Sequence, residues 1–338
     1  GLPTASVLEK LDPYLVLVRE RYGKAPQPST EKVGTLSKEW AERLGLKENI
    51  VISGSSFDAH AGAVGAGIAE KTFVCTMGTS CVDMFVEKAE NLKGKNIQSY
   101  CGQAENSILP GYVGVETGQA AFGDIFAWFK RLLEWPLNQL SQIRESDISE
   151  ELYIKVKDQI LLMLQEEAER LPDEPFPVAL DWFNGRRYPN TDDAQKSAIV
   201  GLSLGMDAPY LYRSLVFGAV CGLYRLIEGF EKQQINIEKI IAVGGISKKS
   251  PYVMQMLSDL SNREICILDS DQTCAQGAAM YAAVAAGIYE NLETAAGHMA
   301  AKCIKTYKPN SEKKEWYRKH YQEYLNLAEA VNTLNVFE

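Results

Sequence analysis

A chain of 338 residues with 46% hydrophobic and 23% charged side chains can bury one large core or two smaller ones, and its make-up excludes fibrous, collagen-like and disordered classes. Its formal net charge of -9 repels nucleic acid and anionic lipid, and no basic patch offsets it. An anionic ligand must therefore be held by backbone N–H groups, helix N-termini or a divalent cation.

No apolar run reaches the roughly 18 residues that span a bilayer, and Gly1-Leu2-Pro3-Thr4 lacks the basic region and apolar core of a signal peptide. A cytoplasmic location is expected. Seven cysteines, at 75, 81, 101, 221, 266, 274 and 303, form no C-x-x-C pair and sit in apolar sequence. Buried free thiols in a reducing compartment are expected.

Residues 4 to 22 carry Val7, Leu8, Leu11, Leu15 and Val18 at helical spacing, interrupted by Pro13, which predicts one or two short helices. Pro26 to Lys32 reads as loop, and a helix begins in Leu36 to Ala41 and ends near Gly45. Ile50-Val51-Ile52 reads as a buried strand. Asp58 follows it, then a helix from Ala59 to Gly67 made almost wholly of Ala and Gly, which suits close approach of another backbone.

Lys71 to Met77 and Cys81 to Val86 read as a hairpin with Gly78-Thr79-Ser80 at its tip. Gly111 to Glu116 reads as a further strand with Glu116 at its end. An aromatic helix spans Phe122 to Leu133 and an amphipathic one Ser149 to Leu171. Asp181 to Pro189 is loop sequence, Ala198 to Leu202 strand or turn, and Asp207-Ala208-Pro209 opens a long helix through Phe230. Ile240 to Val243 is an apolar strand ending in Gly244-Gly245, and Ser250-Pro251 starts a helix to Ser261. A strand over Glu264 to Leu268, a small-residue helix over Ala275 to Tyr289 and a closing amphipathic helix over Ser311 to Val331 complete an α/β chain.

Asp58 is the first candidate for chemistry, because phosphoryl transfer to a hydroxyl needs a carboxylate to accept the proton. Capping the following helix is the plainer role, and the two are compatible. Gly78-Thr79-Ser80 can hold phosphate oxygens with backbone N–H groups and hydroxyls, or be an ordinary hairpin turn. Gly244-Gly245 after its strand can admit a nucleotide, or serve a turn that needs positive φ. His60 near Asp58 suggests a dyad, but a packed or capping role is the preferred reading. None of the three histidines stands at metal-ligand spacing, and no G-x-S-x-G elbow occurs.

Taken in order, strand with terminal Asp, small-residue helix, Gly-Thr-Ser hairpin, strand with Gly-Gly and final small-residue helix, the chain resembles the second half of the actin/hexokinase/Hsp70 ATPase plan, with a ribonuclease H-like mixed sheet flanked by helices. Within it, Phe57 to Gly67, Met77 to Ser80, Val115 to Phe129 and Ala179 to Arg187 are similar to the FGGY carbohydrate kinases, on their L-ribulokinase branch.

The resemblance implies ATP-dependent, Mg²⁺-assisted phosphorylation of the terminal hydroxyl of a ketopentose. By position in the motifs, Asp58 would be the general base and Glu116 would contact sugar hydroxyls. Gly78, Thr79 and Ser80 would hold the phosphates and Gly244 and Gly245 the nucleotide, with the helix at Ser250 bordering the adenosine. Asp181 to Arg187 would add polar residues to the sugar pocket.

Nothing here matches the large N-terminal domain of that family. Residues 1 to 70 are therefore expected to be the end of it, and 71 to 338 the ATP-binding domain. The sugar, ATP and that missing domain are the expected partners, with room for a homodimer. Another ketose or polyol kinase such as a xylulokinase, and an actin-like ATP-driven assembly module, are the competing readings.

Overall fold

Residues 2–22, 27–92, 97, 102–140 and 149–334 are described in the computed structural model. Helices Ala5–Leu11 and Pro13–Tyr22 open the chain, separated at the expected proline, and neither buries a residue. Strand β1 (Lys32–Thr35) then pairs antiparallel with β2 (Val51–Ser53), making a sheet of two strands. The helix between them, Lys38–Leu44, is capped by the Ser37 hydroxyl and closed by Gly45 in the left-handed region at φ 67°.

The Ile50-Val51-Ile52 run is not a buried strand as expected, since Ile50 and Ile52 are both 42% exposed. Its apolar residues decorate an outer hairpin instead of a core.

The main sheet is built from β3 (Thr72–Met77), β4 (Cys81–Lys88), β5 (Gly102–Glu105), β6 (Tyr112–Gln119), β9 (Lys239–Val243), β10 (Ile265–Leu268) and β11 (Cys303–Tyr307). Between β6 and β9 in the chain, β7 (Val178–Ala179) and β8 (Ile199–Val200) form a separate short pair. The spatial order is β11-β10-β9-β3-β4-β6-β5. Strands β3, β9 and β10 are parallel, while β3, β4, β6 and β5 pair antiparallel in turn. The sheet is mixed, as expected.

Strand alternation sends successive residues to opposite faces. Phe73, Cys75 and Met77 of β3, Phe85 of β4 and Ile240 and Ala242 of β9 enter one core, with the long helix Ala208–Lys232 and helix Pro251–Ser261. Val74, Met84, Val86, Ile241 and Val243 enter the other, under helices Asp58–Gly65 and Thr273–Ala285. This places the Asp58 helix on the sheet, across the division expected at residue 70.

The two small-residue helices meet backbone to backbone. A β-carbon on Gly277 would overlap the Ala61 carbonyl, and one on Gly65 would overlap the Thr273 carbonyl. The expected purpose of the Ala/Gly sequence is thus met, since the low helix propensity is exchanged for close packing.

The cysteines depart from expectation. Cys266 of β10 and Cys303 of β11 form a disulfide, and Cys274 is exposed, while Cys75, Cys81 and Cys221 are buried free thiols. Neighbouring antiparallel strands bring the pair together although 37 residues separate them in sequence. Cys101 and Pro26 lie outside the described residues. Among the described residues no helix is long and apolar enough to cross a membrane.

Candidate active site

Because β3 and β9 are parallel and Thr76 is level with Val243, the hairpin tip after β3 and the Gly244-Gly245 turn after β9 emerge side by side at the same edge. Carboxyl ends of parallel strands are where α/β sheets receive ligands. Gly78, Thr79, Gly244 and Gly245 are all exposed there.

The tip is held from behind. Gly78 N–H donates to the Ser80 carbonyl at 2.9 Å, and the Thr79 carbonyl accepts from Phe122 at 2.8 Å and from Asp124 at 3.1 Å, where helix Gly123–Leu140 begins. The packing is too close for side chains. A β-carbon on Gly244 (φ 95°) would lie 2.5 Å from the Met77 carbonyl oxygen, and one on Gly123 would lie 2.5 Å from that of Gly78. Over Gly245 there is open space, so a ligand can approach its backbone.

Asp58 is exposed, as a base that must reach a substrate has to be. It is the first helical residue and not the cap, because Phe57 holds the cap position with extended backbone (φ -68°, ψ 147°) and makes no side-chain cap. The capping role expected for Asp58 is corrected accordingly. Its Oδ1 accepts from the Ala59 N–H at 2.8 Å.

Glu116 sits within β6, not at its end, because pairing with β4 continues to Gln119 opposite Cys81. It stands opposite Met84 and so faces the helix that carries Asp58. His60, two residues after Asp58, meets it: Nε2 lies 3.3 Å from Glu116 Oε2, and Nδ1 lies 3.1 Å from the Ser107 carbonyl oxygen.

Two expected residues stand elsewhere or do something else. The Ser250 hydroxyl is 2.7 Å from Gln165 Oε1 and accepts from the Val253 N–H at 3.3 Å, so it caps helix Pro251–Ser261. Asp181 is buried, accepting from Gln119 Nε2 and from Tyr324 Oη, both at 2.7 Å. Gln119 and Glu116 point to opposite faces of β6, so Asp181 lies across the sheet from the Asp58 helix. That removes it from the expected sugar pocket. Burial pushes its carboxyl up, against the two hydrogen bonds that pull it down.

Directly below the hairpin tip, Asp83 of β4 is fully buried. Its Oδ1 accepts from Cys81 Sγ at 3.1 Å and its Oδ2 has no partner. Burial pushes this carboxyl up to about 7, the bond from Cys81 opposing. Nothing in the sequence singled it out. A cavity of about 330 Å³ lined by Tyr252, Gln255, Trp316, Tyr317 and Arg213 includes none of the residues picked from the sequence.

The C-terminal domain of the FGGY family of carbohydrate kinases matches residues 73–286. The chain belongs to that family. A ribulokinase from Vibrio parahaemolyticus is 38% identical over 339 residues, covering 100% of this chain and 59% of that protein. A ribulokinase from Geobacillus thermodenitrificans is 34% identical over 333 residues, covering 97% and 57%. The chain thus spans rather more than half the length of these relatives.

Among solved structures, a xylulose kinase from Rhodospirillum rubrum aligns with a TM-score of 0.71 at 18% identity, covering 91% of this chain and 57% of that one. A ligand-bound xylulose kinase from Lactobacillus acidophilus aligns at 0.72 and 19%, covering 92% and 57%. These two show the fold, a mixed sheet flanked by helices.

The residues present fit a nucleotide. Exposed backbone at the hairpin tip and over Gly245 offers N–H donors without charge, which suits phosphate oxygens on an acidic protein. Among the described residues no group of three His, Cys, Asp or Glu is placed to hold a metal by itself.

Proposed function

We propose that this chain is the ATP-binding part of a kinase that transfers the γ-phosphoryl group to the terminal hydroxyl of a ketopentose, L-ribulose giving L-ribulose 5-phosphate. The observation that carries the reading is the convergence at one sheet edge. Two exposed glycine turns emerge side by side there, and the helix that begins at exposed Asp58 meets half-exposed Glu116 through His60. Similarity to ribulokinases along the whole chain supports the choice of sugar.

In this reading Asp58 accepts the proton of the attacking hydroxyl, and its exposure leaves it free to do so. Glu116 accepts hydrogen bonds from sugar hydroxyls and sets which one faces Asp58. Backbone N–H groups at Thr79 and Ser80, with the Thr79 hydroxyl, hold phosphate oxygens, while the Gly78 N–H braces the tip by donating to the Ser80 carbonyl. Gly244 and Gly245 let the nucleotide lie against the backbone. Helix Pro251–Ser261 borders the adenosine by its position, since the Ser250 hydroxyl is already engaged. Magnesium supplies charge neutralisation on the phosphates.

The residues before the Asp58 helix lead from a preceding domain onto the sheet-bearing domain, to which that helix itself belongs by packing, and the preceding domain supplies the opposite wall of the cleft. Supporting this, Val7, Leu11, Tyr14, Tyr22, Trp40 and Phe57 are each more than half exposed, with values from 51% to 75%. The test is ADP release on L-ribulose, D-ribulose, D-xylulose and glycerol. A chain extended by a preceding ribulokinase domain is expected to turn over L-ribulose at about 1–100 per second. The 338 residues alone are expected to do so far more slowly. Turnover at that rate by the 338 residues alone overturns the domain reading, and no transfer to any of the four by the extended chain overturns the kinase reading.

A further inference from the structure

We infer that His60 is a positioning residue for Glu116, clamping its carboxylate so that the sugar-contacting strand and the helix that carries Asp58 act as one rigid unit. This rests on the reading of Glu116 as a sugar contact.

The hydrogen-bond geometry gives the reason. His60 Nδ1 faces the Ser107 carbonyl and Nε2 faces the Glu116 carboxylate, at 3.1 and 3.3 Å. A carbonyl accepts and never donates, and an ionised carboxylate does the same. The ring is therefore the donor in its contact with Glu116, a hydrogen bond that an ionised carboxylate makes charge-assisted.

Exposure divides the pair by role. The His60 side chain is 10% exposed and the Glu116 side chain 43%. The histidine is fixed by its surroundings, while the carboxylate it holds remains open to a ligand. The contact uses Oε2, and among the described residues Oε1 has no hydrogen bond.

The anchor behind His60 is itself fixed. The Ser107 hydroxyl donates to the Ala104 carbonyl at 3.0 Å, and the carbonyl of the next residue, Ile108, accepts from Tyr281 Oη at 2.7 Å. Tyr281 is buried on helix Thr273–Ala285, the helix that packs backbone to backbone on Asp58–Gly65. The ring of Phe57 covers His60 edge-on at 5.4 Å. A closed circuit results, from the Asp58 helix to Thr273–Ala285, to the 107–108 loop and back to the Asp58 helix at His60, which holds Glu116. Without His60 the long Glu116 side chain recovers its rotamers, and the sugar must order it at the cost of affinity.

The test compares parent, His60→Ala, Glu116→Ala and the double variant, with His60→Gln as the variant that keeps an N–H donor. In the extended enzyme, His60→Ala is expected to raise the KM for ketose about tenfold, the worth of a charge-assisted hydrogen bond, with the KM for ATP unchanged. His60→Gln recovers most of the loss, and His60→Ala adds about twofold or less once Glu116 is Ala. Urea unfolding of the same variants in the 338-residue chain reads the contact independently of activity, with the double variant losing less than the sum of the singles.

Additive effects on ketose KM, equal loss toward ATP and ketose, or no recovery by Gln overturns the positioning role. Additive unfolding overturns the contact. A parent enzyme that phosphorylates no ketose overturns the kinase reading instead, while the unfolding series still judges the pair.

Discussion

Asp83 under the phosphate hairpin offers a prediction whose size follows from the structure. Its carboxyl is raised from 3.8 to about 7 because it is fully buried. Below about pH 4 folded and unfolded chains both hold the proton, and Asp83 adds no pH dependence. As pH rises from there the unfolded chain releases the proton while the folded chain keeps it, so stability falls until about pH 7, above which both forms are ionised.

The gap from 3.8 to about 7, at about 1.36 kcal/mol for each pH unit, is about 4 kcal/mol. Asp83→Asn removes that slope. Urea unfolding of both proteins from pH 4 to 8 is expected to show the variant gaining about 4 kcal/mol on the parent over the interval, whatever constant offset the amide introduces. Parallel stability curves would show that Asp83 is solvated or paired when folded and refute the reasoning.

Gly277→Ala is expected to cost about 2–3 kcal/mol or more, because the new β-carbon overlaps the Ala61 carbonyl and forces apart the helix that carries Asp58. A denaturation midpoint within error of the parent would contradict that packing. Tyr324→Phe removes a 2.7 Å bond to buried Asp181 and is expected to cost about 1–3 kcal/mol. The bond favours the ionised carboxylate, so the loss should be larger at pH 8 than at pH 5, and the opposite order would refute it.

The sheet was readable in the sequence where residues are strongly apolar, as in Phe73 to Met77 and Ile240 to Val243, which are buried on both faces. Strand β5, Gly-Gln-Ala-Glu, and strand β11, Cys-Ile-Lys-Thr-Tyr, carried no such signal because edge strands are mostly exposed. Ile50 and Ile52 misled in the other direction, since an apolar run says nothing about whether a partner surface lies over it.

Asp58, Glu116 and the two glycine turns were visible through motif order, and the parallel pairing of β3 with β9 gave the two turns a common edge. Their joining residue was not visible. The His60–Glu116 contact spans 56 residues, and the Gln119–Asp181–Tyr324 group spans still more, so only tertiary structure shows which carboxylate stays half-exposed and which is buried. Asp181 looked like a pocket residue because a loop sequence rich in polar side chains does not reveal which of them turns inward.

The most direct test of the account is ADP release by the extended enzyme on L-ribulose with Asp58 replaced by Asn, measured beside ATP binding. Loss of about 10²–10⁴ in kcat with nucleotide affinity retained is the predicted result. Transfer within a few-fold of the parent would contradict Asp58 as the base and, with it, the central claim.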